Sequence, residues 1–542
     1  MRYVSTAGRA AVMLMILLSA CGGGSGGGNA AVSVTSVSTH TLAFSAASPD
    51  DPTPAAQTFT ATISPGTLYF AVIPNGSAIA TASFTLSGST ATVTVSPAAP
   101  SALGAGTFTG IVTVSGQSCA DAQCTSLISG QRQDVNVTFQ IPPTVRFVAP
   151  YVGQTNTAGT VLIRGQGFQK FPVEGVSFGA TAASAFAVLS DTEIQASYPA
   201  LATGSYAVQV QASTSPGAIV SSATLAVIDP TAYAAAAVSY PAPVTQVKRL
   251  VYDAERQALL LAVDSSGGEI LRYAYTGGAW ATPMVAPIGS LEDIALSTAG
   301  TQLLALSQTD VTPIDPASLA AGSVIAGPSL VAGSFLKNLA VTNTDTAIVT
   351  TGFSGSTTSL VYLYGVRSTA FTQPVTAIAL DNATPTASAD GSLVAIAQGD
   401  TSLTTAPSTY QYLSATNAFS ATVAINQNAV APALDRNAAR IVLNGINVYD
   451  PSYNLLGTLP STTLAVVVKP DATRAYIWDS AAAAVLSFDL TATASGAALP
   501  QVGTATVLSA DPGSGVQMAI SPDGGTLFLA GSNQIVVQPA PP

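Results

Sequence analysis

The chain has 542 residues and a formal net charge of −11, with 8% charged and 48% hydrophobic side chains. So long a chain predicts roughly two to four domains rather than one. Its acidic balance and few Lys or Arg exclude the phosphate neutralisation on which nucleic-acid binding depends, and they work against adhesion to anionic lipid.

The first thirty residues carry an address. Arg2 and Arg9 precede the apolar run AAVMLMILLSA, whose roughly eleven residues fall short of the roughly twenty that cross a bilayer. A basic start, a short apolar core and small residues before a break describe a secretory signal peptide over residues 1–20. Leu18-Ser19-Ala20-Cys21 resembles the bacterial lipobox, L-[AS]-[AG]-C. The resemblance implies cleavage before Cys21 and lipidation of that residue; the bland alternative is an ordinary signal peptide with an incidental cysteine. GGGSGGGNA follows, with no side chains to bury and no fixed backbone, so residues 21–30 read as a lipidated cysteine on a flexible tether. Gly22 stands where inner-membrane lipoproteins of Gram-negative bacteria tend to carry Asp. The resemblance therefore implies an outer-membrane destination, with the membrane a partner through Cys21.

Residues 31–142 alternate apolar and polar positions in short runs such as TFTATIS, ATVTVS and DVNVTFQI. In the last of these, Val135, Val137, Phe139 and Ile141 fall on one face and Asn136, Thr138 and Gln140 on the other. That is the pattern of half-buried antiparallel strands, and roughly seven of them make an immunoglobulin-like sandwich. Cys119 and Cys124 flank a short loop in GQSCADAQCTS. In an exported chain they predict a disulfide, since no His or further Cys stands nearby to complete a zinc site.

Residues 143–229 contain an entry Pro150, then VLIRGQGF, VSFG and PALATGSYAV. These resemble the IPT/TIG domain, with matches at Val161, Ile163, Gly165, Gly167, Phe168, Val176, Phe178, Gly179, Pro199, Gly204, Tyr206 and Val208. The resemblance implies a second immunoglobulin-like sandwich. Gly165 and Gly167 are expected to permit a tight turn before Phe168 buries, Gly179 to end a strand, and Tyr206 to begin the final one. The fold alone fixes no activity.

Residues 230–542 repeat a phrase of apolar strand, polar turn and apolar strand. It runs through LVYDAERQALLLAV, IALSTAGTQLLALS, LAVTNTDTAIVTT, PTASADGSLVAIAQ, ALDRNAARIVLN, VVVKPDATRAYIWD and AISPDGGTLFLAG. A period of about 45 residues points to four-stranded blades, and the phrases resemble those of YVTN and WD40-like propellers. Seven copies predict seven blades, although irregular spacing leaves six or eight open. Asp390-Gly391 and Asp523-Gly524 are expected to form tight turns, and AYAAAAVSYPAP over residues 232–243 to supply the strand that completes the last blade. The whole is an all-β chain: two immunoglobulin-like β-sandwiches followed by a β-propeller.

Chemistry is sparse. The single histidine, His40, leaves little for nucleophilic triads or zinc catalysis. G-x-S-x-G occurs only within the glycine tether (Gly23–Gly27) and in the run GVSFG (Gly175–Gly179), neither of which reads as a strand-to-helix elbow; an ordinary strand or edge residue is expected at His40. Carboxylates at a propeller's mouth need no histidine, and Glu269, Glu292, Asp293 and Asp310 are the candidates, without an evident pair. Ser521–Phe528, SPDGGTLF, resembles the sialidase Asp box but departs at its last positions, and in that family the box is a hairpin device away from the active site. Trp280 and Trp478 could stack on a sugar, with blade packing the expected role. Asp50, Asp51 and Asp264 could supply calcium oxygens, with solvated turns the bland reading. The expected function is a non-catalytic binding or scaffolding protein of the cell envelope, without cofactor or metal, whose partner is another protein or a glycan. The alternatives are a polysaccharide enzyme using carboxylates and an outer-membrane assembly scaffold.

Overall fold

The computed structural model describes residues 34–542 except 65–68, 120–126, 213–217, 220, 222, 230–231, 266, 354–359, 375–379, 381, 399–408, 424–429, 461–464 and 493–495. Almost every element is a strand, and among the described residues no helix is long and apolar enough to cross a membrane. Cys21 and Cys124 lie outside the described residues. The backbone of Cys119 ends the strand Gly106–Cys119.

The first body is two four-stranded sheets. One has the order Val34–Val37, Gln57–Ile63, Thr90–Pro97, Ile79–Ser87, and the other Thr41–Ser45, Leu127–Ile141, Gly106–Cys119, Tyr69–Gly76. Alternation dictates the core between them: Val135, Val137, Phe139 and Ile141 are buried while Asn136, Thr138 and Gln140 are exposed. Phe44 meets Phe139 with ring centroids 6.1 Å apart, a tilted pair that adds specific contact to area burial.

The second body is an immunoglobulin-like sandwich. Ala185–Ser190, Glu193–Tyr198, Gly159–Gln166 and Thr144–Ala149 form one sheet. Val152–Gln154, Thr224–Ile228, Gly204–Ala212, Val173–Phe178 and Thr181–Ala182 form the spine of the other. Gly165 has no room for a side chain, because a β-carbon would strike the Thr144 carbonyl and the Phe168 ring, and Phe168 is 1% exposed. Tyr206 departs from expectation. It stands third in Gly204–Ala212, and Thr224–Ile228 follows as a later strand beside it. Its hydroxyl donates to the Ala202 carbonyl at 2.9 Å, so the residue fixes the corner before its strand.

Seven sheets follow, each built on one of the seven repeated phrases, which supplies its first two strands. The first strands are Gln246–Asp253, Leu291–Leu296, Ser334–Val341, Thr384–Ala387, Ala433–Leu434, Ala465–Val468 and Gln517–Ile520. Each has a partner strand on one edge only, and each packs against the first strand of the next sheet, with Gln517–Ile520 returning to Gln246–Asp253. Second strands such as Leu303–Ser307 and Thr526–Ala530 are buried along their whole length, as continuous apolar runs require. The last sheet takes its fourth strand from the start of the unit: Ala236–Ser239 pairs antiparallel with Gln534–Pro539, within the expected segment. The glycine turns also form. Gly391 and Gly524 adopt φ of 68° and 72°, a left-handed conformation cheap only for glycine, and each donates its N–H to a serine three residues back.

The aspartates that close several third strands have a local cause. Asp315 accepts N–H bonds from Ala317 and Ser318, Asp450 from Ser452 and Asn454, and Asp489 from Thr491. Bonds from Ser318 hold the Asp315 carboxyl below its ordinary range, and bonds from Thr491 do the same for Asp489.

Candidate functional site

The edges of the first strands enclose a cavity of about 420 Å³, to which all seven sheets contribute. Among the lining residues are Val251, Leu296, Val341, Leu434, Val468 and Ile520. A strand edge without a partner leaves backbone N–H and C=O groups to be satisfied by something other than sheet. The cavity therefore presents backbone polar groups between apolar side chains.

One end carries a device that repeats along the chain. The first strands of the first three sheets each bulge, between Val247 and Arg249, Leu291 and Asp293, and Leu336 and Asn338. An extra residue at each bulge re-aims the side chains beside it. Arg249 donates from Nε and Nη2 to the two Asp293 carboxylate oxygens, both at 2.7 Å. Asp293 is fully buried and also accepts the Ile294 and Leu339 N–H groups at 2.8 Å, so one carboxylate joins three sheets. Burial disfavours the Arg249 charge, but the Asp293 charge and hydrogen bonds outweigh it, and the guanidinium pKa is raised. Lys248 Nζ donates to the Leu291 carbonyl at 2.6 Å and lies 3.5 Å from Glu292. Lys337 donates to Asn382, and Asn338 to the Ala383 carbonyl. The sequence carries this signal as polar pairs, Lys248-Arg249, Glu292-Asp293 and Lys337-Asn338, about one repeat apart.

The other end meets the second body. Pro150, Tyr151 and Val152 line the cavity beside the turns that leave the first strands. Tyr151 lies within the field of the Asp253 and Glu255 charges, and its ring lies so close to Gly300 that a β-carbon there would overlap it. Arg164 reaches across from the same body. Its Nη1 donates to Glu193 at 2.8 Å and its Nη2 to Asn343 Oδ1 at 2.7 Å, which Ser414 also bonds. Burial lowers the Arg164 pKa, opposed by Glu193.

The expected site residues are dispersed. Glu269 begins a third strand and accepts from Ser265, and Asp310 begins another and accepts from Thr309. Both therefore stand away from the first strands, and the four candidate carboxylates do not converge. Glu292 accepts from Gln308, and the Asp293 charge is spent on Arg249. His40 is exposed and precedes the strand Thr41–Ser45. Asp50 pairs with Arg146 at 2.8 Å, Asp51 accepts the Ala47 and Ser48 N–H groups, and Asp264 ends a second strand. Among the described residues no group of three or more His, Cys, Asp or Glu stands close enough to hold a metal ion. Trp478 is buried in a second strand, and Trp280 joins Tyr233, Tyr275 and Phe528 in an aromatic cluster off the cavity. Neither lines the cavity.

Several tyrosines give the molecule a pH signature. Burial, with the nearby charges of Asp253 and Glu255, lifts the Tyr151 pKa well above its ordinary value, and burial lifts those of Tyr240, Tyr252, Tyr273 and Tyr453. A pKa raised on folding contributes stability that is complete below the unfolded value of about 10 and is lost as pH climbs towards the folded value. In an ultraviolet titration these phenols should stay protonated beyond that point, then ionise together as circular dichroism reports unfolding. A smooth, fully reversible titration of every tyrosine near its ordinary value would contradict their burial.

An all-β chain with an immunoglobulin-like second body is the class these features define. Residues 143–227 match the family model of the IPT/TIG domain. No curated protein matches the chain. Among solved structures, an auxiliary nutrient binding protein from Bacteroides ovatus is similar at 10% identity and a TM-score of 0.37, over 74% of this chain and 98% of that one. Hydrazine synthase from Kuenenia stuttgartiensis is similar at 12% identity and a TM-score of 0.42, over 56% and 97%.

Proposed function

We propose that the chain is a lipid-anchored, non-catalytic binding or scaffolding protein of the bacterial outer membrane. Residues 1–20 are its signal peptide, Cys21 its lipidation site and residues 21–30 its tether. Residues 31–142 and 143–229 form an immunoglobulin-like stalk, with a Cys119–Cys124 disulfide in the first of them. Residues 230–542 form a seven-bladed propeller resembling the YVTN and WD40-like kind. The observation that carries the reading is a cavity to which all seven sheets contribute their first strands. A rigid ring around a cavity suits recognition of another protein or a glycan.

Changing Cys21→Ser tests the anchor. The wild-type chain should take up labelled palmitate and sediment with membranes, whereas the variant should take up none and appear in the soluble fraction. A variant that still sediments with membranes would overturn the anchor. Protease added to intact cells then separates the partner classes. Cleavage favours capture of an external glycan or protein, and protection until the outer membrane is opened favours envelope assembly.

A further inference from the structure

We infer that the IPT/TIG domain is a fixed stopper, making the cavity a one-ended cup for a small uncharged ligand that enters from the face away from that domain. The inference deepens the ring reading above and rests on it.

Three contacts hold the stopper. Tyr151 is seated against Gly300, and Pro150 and Val152 complete the floor. Arg164 binds Asn343, which is fully buried, and Asn343 is itself held by Ser414 of the following sheet. An exposed ion-pair cluster at the rim, Asp50 with Arg146 and Arg367, adds the first sandwich to the same side. A seam with buried polar bonds on one side and a ring seated without clearance on the other has one arrangement, so passage through this end needs the domain to move. The bulged end, where Lys248, Glu292 and Lys337 stand, is left as the route.

The lining decides the ligand. Of its charged side chains, Arg249 is paired with both oxygens of Asp293, Arg436 donates to the Pro522 carbonyl, and Asp435 accepts the Arg440 and Asn437 N–H groups. The remaining lining is mainly apolar, so a charged guest would lose most of its hydration there. The open strand edges instead offer backbone donors and acceptors, and Thr386 stands among the lining residues. Apolar side chains between such groups suit a compact neutral molecule with several hydroxyl or amide groups.

Thr386→Cys in the full-length Cys21→Ser chain provides the test, with the labelled site mapped by mass spectrometry. Methyl methanethiosulfonate, small and neutral, should modify Cys at this position, while its sulfonate- and ammonium-bearing analogues should react about tenfold more slowly or worse, the charged form being the one burial penalises. A maleimide on a long polyethylene glycol chain should not react. Adding Tyr151→Ala, or separately Arg164→Met, should raise the neutral reagent's rate several-fold by opening the stoppered end. Unchanged rates in both backgrounds, with each variant folded by circular dichroism, would overturn the stopper. Equal rates for all three small reagents would overturn the uncharged class. Rapid labelling by the polymer reagent in the otherwise unaltered chain would mean that the ring does not enclose Thr386 at all, and the ring reading would fail first.

Discussion

Asp293→Ala should destabilise the seven-sheet unit by about 3–5 kcal/mol, the range for removing one partner of a buried ion pair. The carboxylate is fully buried and accepts four hydrogen bonds, two from Arg249 and one each from the Ile294 and Leu339 N–H groups. Its loss strands a guanidinium and two backbone donors where water has little access, and unpaired buried donors are more costly than the bonds were favourable. Asp293→Asn should cost less, because an amide oxygen can still accept from backbone although the charge is gone. Urea unfolding followed by tryptophan fluorescence reads this unit alone, since Trp280 and Trp478 are the chain's two tryptophans. An Asp293→Ala midpoint equal to that of the unaltered chain would mean that the carboxylate does not hold the three sheets together.

Tyr233→Ala should cost a comparable amount, about 3–5 kcal/mol by analogy with other large buried aromatics truncated to alanine. Tyr233 is 2% exposed and stands just before the strand Ala236–Ser239. Its ring packs edge-on to Tyr275 at 4.6 Å and to Phe528 at 5.7 Å, and lies 5.1 Å from Trp280. It therefore pins the closing strand to the first sheet and the last together. Its hydroxyl also bonds that of Tyr252 at 2.7 Å. Tyr233→Phe removes this bond, worth about 1 kcal/mol, and should keep the ring packing. The alanine variant should also shift Trp280 emission towards that of exposed indole. If the two variants unfold at the same midpoint, the packing role assigned to the ring is wrong.

Local pattern made much of the fold legible. Period-two alternation in DVNVTFQI forecast which side chains of Leu127–Ile141 would bury, because one face of a sandwich sheet meets the core and the other meets solvent. The glycines around Phe168 marked a turn that no side chain could share, and Asp-Gly at 390–391 and 523–524 marked hairpins by their conformational demand. Seven phrases became seven hairpins because each is a strand, a turn and a strand within one short segment. Tyr206 stands third in its strand and not at the start of the last one, because a strand's membership of a sheet depends on pairing with distant residues that its own pattern does not encode.

The site was much less legible. Lys248-Arg249, Glu292-Asp293 and Lys337-Asn338 look like isolated solvated charges in a linear reading. Only bulges at equivalent strand positions bring them together. Arg164 and Asn343 are far apart in sequence and give no sign of contact, since a buried polar bond between domains leaves no periodicity. For Glu269 and Asp310, residue type alone points to the mouth. Their place on third strands follows from the strand order within each sheet, which the repeat length does not specify.

The central claim is that residues 230–542 form a closed ring completed by Ala236–Ser239. Ser239→Cys with Gln534→Cys tests it most directly. The two Cα positions are paired in register on antiparallel strands, a separation of about 4.5–5.5 Å that lies within disulfide reach. Under mild oxidation the full-length chain should form this cross-link within a single molecule, mapped by mass spectrometry of the unreduced digest. Two free thiols, or cross-links only between molecules, would contradict the ring.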